Sequence, residues 1–381
     1  MATAKNTLQQ LHDHGQSPWL DYITRDILKN GRLQELIALG ILGLTSNPTI
    51  FQKALSGSDL YDDELRRLVR EGKSVDEIYD GLVLDDIRAA AAILRPVYDR
   101  TNGRDGLVSI EEPPRLAYDT QKSIEEARRL FHYLNLPNVM IKIPGTPAGI
   151  SAFQQAISEG INVNVTLVFS LENYRQVAQA YIAGLEERAA AGRPIDRIAS
   201  VASFFVSRVD TAVDNKLDQL IAATDDEARK NELLALQGKA AIANAKLAYD
   251  AYKSIFAGPR WDALAQKGAR TQRCLWASTS TKNPKYRDIL YAEQLIGPDT
   301  VDTMPPQTIE AFLDHAVVER TVDKDVAQAR AEIAAIEKAG ISMDEVTLQL
   351  QKDGVRLFAD SFDELIDAIS ARRQEMMAHA R

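Results

Sequence analysis

Leu107-Val-Ser-Ile-Glu111 is followed by Thr120-Gln-Lys-Ser-Ile-Glu-Glu-Ala-Arg-Arg-Leu-Phe-His-Tyr-Leu134 and then by Val139-Met-Ile-Lys-Ile143. The outer pieces are short apolar runs of strand type. The middle piece puts Ile124, Ala127, Leu130, Phe131 and Leu134 on one face at helical spacing. Strand, amphipathic helix, strand is the unit from which parallel sheets are built. Outward from it, further strand-like runs fall at residues 18–22, 43–46, 162–169, 200–205, 273–277 and 300–304. Helical patterns separate them. Eight strands alternating with helices predict an α/β fold of the (β/α)8 TIM barrel type, not an antiparallel sheet. A doubly wound open sheet is the runner-up, but no G-x-G-x-x-G follows a first strand.

The chain has 381 residues, long enough for one barrel of roughly 250 residues plus additional helices. Residues 210–256 are charged and alanine-rich and predict two or more helices. The tail is helical in pattern too, with Val355, Leu357, Phe358, Phe362, Leu365 and Ile366 as its apolar positions. We therefore expect a barrel over residues 1–321 and a C-terminal helical extension over residues 322–381, packed on the barrel.

Net charge is −9, which argues against nucleic acid as a partner and requires local cations for any anionic substrate. Cys274 is the sole cysteine, so no internal disulfide or cysteine-based metal cluster can form, and a reducing cytoplasm fits. The first sixteen residues carry no apolar signal core, and no apolar run is long enough to span a bilayer.

In a barrel, residues at the C-terminal ends of strands line the site. Polar groups interrupt the apolar runs there. Asp21 ends the first strand, and Thr45 and Asn47 end the second. Ser109 and Glu111 share a parity on the third. Lys142 sits in the fourth between Ile141 and Ile143, which would face the helices. Asn162, Asn164 and Thr166 alternate on the fifth, and Ser203 on the sixth is followed by Arg208. One ammonium, two carboxylates, amides and hydroxyls would converge in one mouth. Apolar walls disfavour the charged form of a lysine and favour a nucleophilic amine, while carboxylates relay protons. His12, His14, His132, His315 and His379 all fall outside the strand ends, so neither a metal site nor a Ser–His pair is predicted.

Each residue has a plainer explanation. A lysine in an apolar strand can snorkel from an edge. Asn47 before Pro48 and Thr146 before Pro147 fit helix N-caps with proline at the first helical position. Asp21 could cap the next helix, Asn164 and Thr166 could be interior hydrogen-bond partners, and Arg208 could sit in a surface ion pair. Trp19, Trp276 and Cys274 read as core. The coincidence across six strands favours a site.

These segments carry a family resemblance. Gly43-Leu-Thr-Ser-Asn-Pro-Thr-Ile-Phe51 resembles the first transaldolase signature. Val139-Met-Ile-Lys-Ile-Pro-Gly-Thr-Pro-Ala-Gly-Ile150 resembles the second, which holds the Schiff-base lysine. Gly160-Ile-Asn-Val-Asn-Val-Thr-Leu-Val-Phe-Ser170 looks like the family's fifth strand, and Ser203-Phe-Phe-Val-Ser-Arg208 its phosphate segment. Leu275-Trp-Ala-Ser-Thr-Ser-Thr-Lys-Asn-Pro284 and Asp299-Thr-Val-Asp-Thr-Met-Pro305 resemble the long bacterial subfamily.

The resemblance implies a cofactor-free enzyme of the pentose phosphate pathway that moves dihydroxyacetone between sugar phosphates, as a monomer or homodimer. It implies Lys142 as nucleophile and Glu111 as the acid/base that works through a water held by Thr166. Asp21 would take the C4 hydroxyl proton. Asn47 and Asn164 would hold the dihydroxyacetone unit, Ser203 would line the site, and Arg208 would bind phosphate. Two departures stand out. Glu112 occupies a usually apolar position and by alternation should face away from the mouth. The segment Ala277-Ser-Thr-Ser-Thr-Lys-Asn283 keeps Ser278 but lacks the second phosphate arginine, for which Lys282 is the substitute. A related aldolase that releases free dihydroxyacetone is the nearest alternative. The resemblance opposes it, since such members are shorter and carry tyrosine where this chain has Phe205. A catalytically dead binding barrel is another, opposed by the intact Lys142, Asp21 and Glu111.

Overall fold

The computed structural model describes residues 4–56 and 58–379. Residues 1–3 of the polar N-terminal segment lie outside the described part. Eight strands run in chain order: β1 (Gln16–Asp21), β2 (Gly43–Thr45), β3 (Val108–Glu111), β4 (Val139–Pro144), β5 (Val163–Val168), β6 (Ser200–Phe205), β7 (Arg273–Ala277) and β8 (Thr300–Met304). All neighbouring pairs are parallel, and β8 closes on β1, so the sheet is a closed barrel. This is the (β/α)8 fold read from the sequence.

β1 starts earlier than the apolar pattern suggested. Gln16 and Ser17 pair in register with Thr300 and Val301 of β8. Gln16 also donates to the Leu295 carbonyl at 2.8 Å and to Thr300 Oγ1 at 3.0 Å. A strand partner from the far end of the chain supplies these bonds, so local hydrophobicity could not indicate them.

Strand alternation sends one set of side chains inward and the other to the helices. Phe204 meets Trp276 edge to face at 6.2 Å and Tyr174 at 6.4 Å in the outer layer. Inside, the Trp19 ring lies against Gly43; a Cβ at Gly43 would stand 2.5 Å from the ring. Below Trp19 a buried polar plug fills the N-terminal end. Arg273 pairs with Asp105 at 3.0 Å and donates to Ser17 Oγ at 2.8 Å, and Trp19 Nε1 donates to Asp105 at 3.2 Å. Asn162 belongs to this end as well. Its amide donates to the carbonyls of Pro137 and Val139 and accepts from Ala199 N, so it ties strand entries together and takes no part in the mouth.

The helix Pro147–Glu159 follows β4. Thr146 is its N-cap and accepts from Gly149 N at 3.0 Å, with Pro147 in the first turn. A Cβ at Gly149 would come within 1.9 Å of the Pro144 carbonyl oxygen, so only glycine lets this helix start so close to the strand that bears Lys142.

Most of residues 210–256 lie in three helices, Ser207–Ala222, Glu227–Leu234 and Ala240–Ile255, as the composition implied. The tail forms Val326–Lys338 and the long helix Met343–His379. Val355, Phe358, Phe362 and Leu365 are buried, whereas Leu357 is 47% exposed and leaves the apolar face predicted for it. No helix is long and apolar enough to cross a membrane among the described residues.

Candidate active site

Strand register brings the charged residues together. Glu111 on β3 is level with Lys142 on β4, Lys142 is level with Asn164 on β5, and Pro144 is level with Thr166. Asp21 on β1 is level with Thr45 on β2. Asp21, Thr45, Glu111, Lys142 and Thr166 stand in the C-terminal halves of their strands and Asn164 near the start of β5, beside a cavity of about 750 Å3 lined by Asp21, Asn47, Lys142, Thr166, Ser203, Arg208, Ser278 and Lys282 among others.

Lys142 is buried. Its Nζ donates to the Ser46 carbonyl at 3.0 Å and lies 3.0 Å from Glu111 Oε2. Burial pushes the Glu111 carboxyl upward, and the neighbouring Lys142 ammonium pulls it back. Asp21 accepts from Thr45 Oγ1 at 2.8 Å, and Thr45 in turn shares a 2.8 Å hydrogen bond with Thr303. Burial raises the Asp21 carboxyl too, against the pull of Lys142, then Thr45, Lys282 and Arg208. Two carboxyls near one amine, both biased towards accepting a proton, suit acid/base work around a carbonyl carbon.

Glu112 points the other way, as alternation required. It accepts from Ser123 Oγ at 2.9 Å, is wholly buried, and is pushed up to about 8 by burial. Thr166 Oγ1 is buried and has no hydrogen-bond partner among the described residues. Asn164 donates to Ser109 Oγ at 3.2 Å and accepts from Ser203 Oγ at 2.7 Å. Glu111 and Asn164 are not among the residues that line the cavity; they reach it through Lys142 and Ser203. Asn47 both lines the cavity and caps its helix, accepting from Ile50 N at 3.0 Å. Asp21 caps nothing, since the next helix, Arg25–Lys29, has Thr24 at its N-cap.

The cavity wall also carries Arg208 and Lys282. Arg208 sits in the first turn of the helix Ser207–Ala222 with its guanidinium 5.4 Å from the Phe205 ring centroid. Lys282 donates to Ser280 Oγ at 2.6 Å, and both burial and the Arg208 charge lower its pKa. Ser278 adopts φ 57° and its hydroxyl meets Ser207 Oγ at 3.0 Å, which fixes the β7 loop to the start of the Arg208 helix. Lys53 and Arg32 also line the cavity and were missed in the sequence. Lys53 stands four residues after Thr49, another lining residue, on the helix Pro48–Ser56, and no local pattern marks either for the site. Phe358 lines the cavity as well, its ring centroid 6.0 Å from Lys142 Nζ. More than two hundred residues separate it from Lys142, and no local pattern connects them.

Among the described residues no cluster of three or more His, Cys, Asp or Glu side chains could hold a metal ion. Trp19 and Trp276 are wholly buried, and burial pushes the Cys274 thiol up to about 12, as suits core residues.

An amine beside a carboxyl that can take its proton, deep in the mouth of a (β/α)8 barrel whose rim is cationic, is the arrangement of the aldolase-like barrel enzymes. Within that class the chain belongs to the transaldolase/fructose-6-phosphate aldolase family, whose model matches residues 18–369. It is 50% identical over 374 residues to a transaldolase of Thermobifida fusca, covering 98% of this chain and 99% of the relative. A transaldolase 1 of Streptomyces avermitilis is 50% identical over 375 residues, 97% of each chain. A transaldolase of Trichodesmium erythraeum is 47% identical over 374 residues, 97% of this chain and 98% of the relative.

Proposed function

We propose that this chain moves a dihydroxyacetone unit from fructose 6-phosphate or sedoheptulose 7-phosphate to an aldose phosphate, glyceraldehyde 3-phosphate or erythrose 4-phosphate, through a Schiff base on Lys142. The observation that carries this reading is the 3.0 Å contact between Lys142 Nζ and Glu111, with Lys142 facing a cavity that Arg208 and Lys282 also line.

Glu111 takes the ammonium proton, and the free amine adds to the C2 carbonyl of the donor. Glu111 then returns a proton as the carbinolamine loses water, with the intervening water held by Thr166. Asp21 removes the C4 hydroxyl proton, the C3–C4 bond breaks, and its electron pair enters the iminium to give an enamine. The aldose phosphate product leaves, an acceptor aldose phosphate enters, and the enamine attacks its aldehyde carbon. The steps then reverse. Asn47, Ser203 and, through Ser203, Asn164 orient the three-carbon unit. No step calls for a cofactor. One chain supplies all the residues named, so a monomer or a homodimer suffices. Sugar phosphates and a buried free cysteine suit the cytoplasm.

The test is borohydride reduction in the presence of fructose 6-phosphate, followed by peptide mass spectrometry. The expected product is a reduced three-carbon adduct on Lys142 alone. An adduct on another lysine, or none with an active preparation, overturns the mechanism.

Phosphate recognition gives a second expectation. Arg208→Ala will raise KM for fructose 6-phosphate by roughly 30- to 150-fold, the equivalent of about 2–3 kcal/mol for one charge-assisted contact, and will hardly change turnover of unphosphorylated fructose. Lys282→Ala and Lys53→Ala will act in the same direction with smaller effect, because an ammonium is a point charge and makes no bidentate fork. Equal losses for both donors would make Arg208 a structural residue instead.

A further inference from the structure

The C-terminal helix Met343–His379 is fastened across the barrel mouth. Gln351 Nε2 donates to the Gly145 carbonyl at 3.0 Å and to the Leu167 carbonyl at 3.1 Å, beyond the end of β4 and near the end of β5. Farther along, Ser361 Oγ accepts from Thr49 Oγ1 at 2.9 Å, and Arg372 donates to the Leu55 carbonyl at 3.1 Å. Gly354 permits the close approach; a Cβ there would lie 2.7 Å from Leu167 Cδ2. Between the Gln351 and Ser361 fastenings the helix presents one large apolar group to the cavity. Phe358 is 6% exposed, and its ring centroid lies 6.0 Å from Lys142 Nζ.

We infer that Phe358 keeps bulk water from the three-carbon enamine on Lys142, so that the C-terminal helix sets whether this enamine waits for an aldehyde or is protonated and lost by hydrolysis. The inference rests on the Schiff-base reading above. An enamine is stable only while protonation and water addition are slow, and closing a site against water is the means by which proteins protect such intermediates. In the loss route the enamine carbon takes a proton and becomes part of an iminium. Water adds to the iminium carbon. The C–N bond of the carbinolamine then breaks, its electron pair returning to nitrogen. One water is consumed, and free dihydroxyacetone and the Lys142 amine are released with no change in overall oxidation state. In transfer the aldehyde carbon replaces the proton as electrophile, and water adds only afterwards, to the iminium of the lengthened ketose, so the two routes diverge at the three-carbon enamine. A smaller side chain at residue 358 opens the route to water while leaving Lys142, Glu111 and Asp21 in place.

The experiment measures, in one reaction with fructose 6-phosphate and erythrose 4-phosphate, the ratio of free dihydroxyacetone to sedoheptulose 7-phosphate formed. The full-length chain is compared with Phe358→Leu, Phe358→Val and Phe358→Ala. Leu357→Ala, which alters an exposed neighbour on the same helix, is the control. The ratio is expected to rise severalfold as volume falls from Phe to Leu to Val to Ala, and to stay at the wild-type value in Leu357→Ala. If the alanine variant does not fold, the leucine and valine variants still give the order. A ratio that is unchanged along the series, or loss of both products together, overturns the inference. Borohydride trapping on Lys142 is run alongside. Absence of the adduct from the wild-type chain defeats the Schiff-base reading itself, whereas trapping with an unchanged ratio defeats only the role of Phe358.

Discussion

Replacing Asp21 by asparagine will let the enzyme form its Schiff base and then stall, so that the adduct on Lys142 accumulates while kcat falls on the order of 10²- to 10⁴-fold, the usual worth of a positioned general base. Glu111→Gln will show a loss of similar size at an earlier step, with slow appearance of the adduct. The geometry separates the two roles. Glu111 touches the amine, at 3.0 Å, and so belongs to the proton transfers on nitrogen. Asp21, two strands away on β1, is held by Thr45 Oγ1 in the cavity wall, where a substrate hydroxyl can reach it. Single-turnover mixing with fructose 6-phosphate, quenched with borohydride at intervals, reads both steps. A block at the same step in both variants would refute the assignment. Glu112→Gln is the internal control. Its carboxyl is turned to Ser123 behind the strand, and its replacement is expected to leave both steps near the wild-type rate.

The largest stability effect is expected at the opposite end of the barrel. Asp105→Ala will destabilise the protein by about 3–5 kcal/mol, because it leaves a buried guanidinium without its counter-ion. Asp105 and Arg273 are 3% and 5% exposed and 3.0 Å apart. Asp105 also accepts from Ser17 Oγ at 3.0 Å and from Trp19 Nε1 at 3.2 Å, so its loss strands two further donors. Chemical denaturation monitored by circular dichroism measures the cost. A double variant, Asp105→Leu with Arg273→Met, will recover much of it, since removing both charges is far cheaper than removing one. Activity per folded molecule will change little, because the plug lies at the strand entries and the chemistry at the strand exits. A loss below about 1 kcal/mol for Asp105→Ala would mean that water reaches the pair and that it behaves as a surface ion pair.

The sequence by itself determined the barrel, because each strand and helix declares its own period locally. The eight apolar runs and the intervening helical faces are properties of neighbouring residues, and the pairing of β8 with β1 then closes the sheet. It also determined which strand ends carry polar groups and on which side. The alternation that sends Lys142 inward sends Ile141 and Ile143 outward, and the same rule turned Glu112 away from the mouth. Proline and capping chemistry announced the helices at Pro48 and Pro147.

Tertiary structure decided what depends on partners far along the chain. The pairing of Gln16 and Ser17 with β8, the burial of Arg273 against Asp105, and the descent of Asn162 to the strand entries are set by register between strands. Lys53 joins the cavity's other cations only because its helix borders the cavity, where Thr49 and Ile50 also line it. The tail was legible as helical, but not its place across the mouth. That depends on Gln351 finding the carbonyls of Gly145 and Leu167, on Gly354 admitting Leu167, and on Phe358 facing Lys142. Contacts of such sequence separation leave no periodic trace, because either partner alone reads as an ordinary residue of its own element.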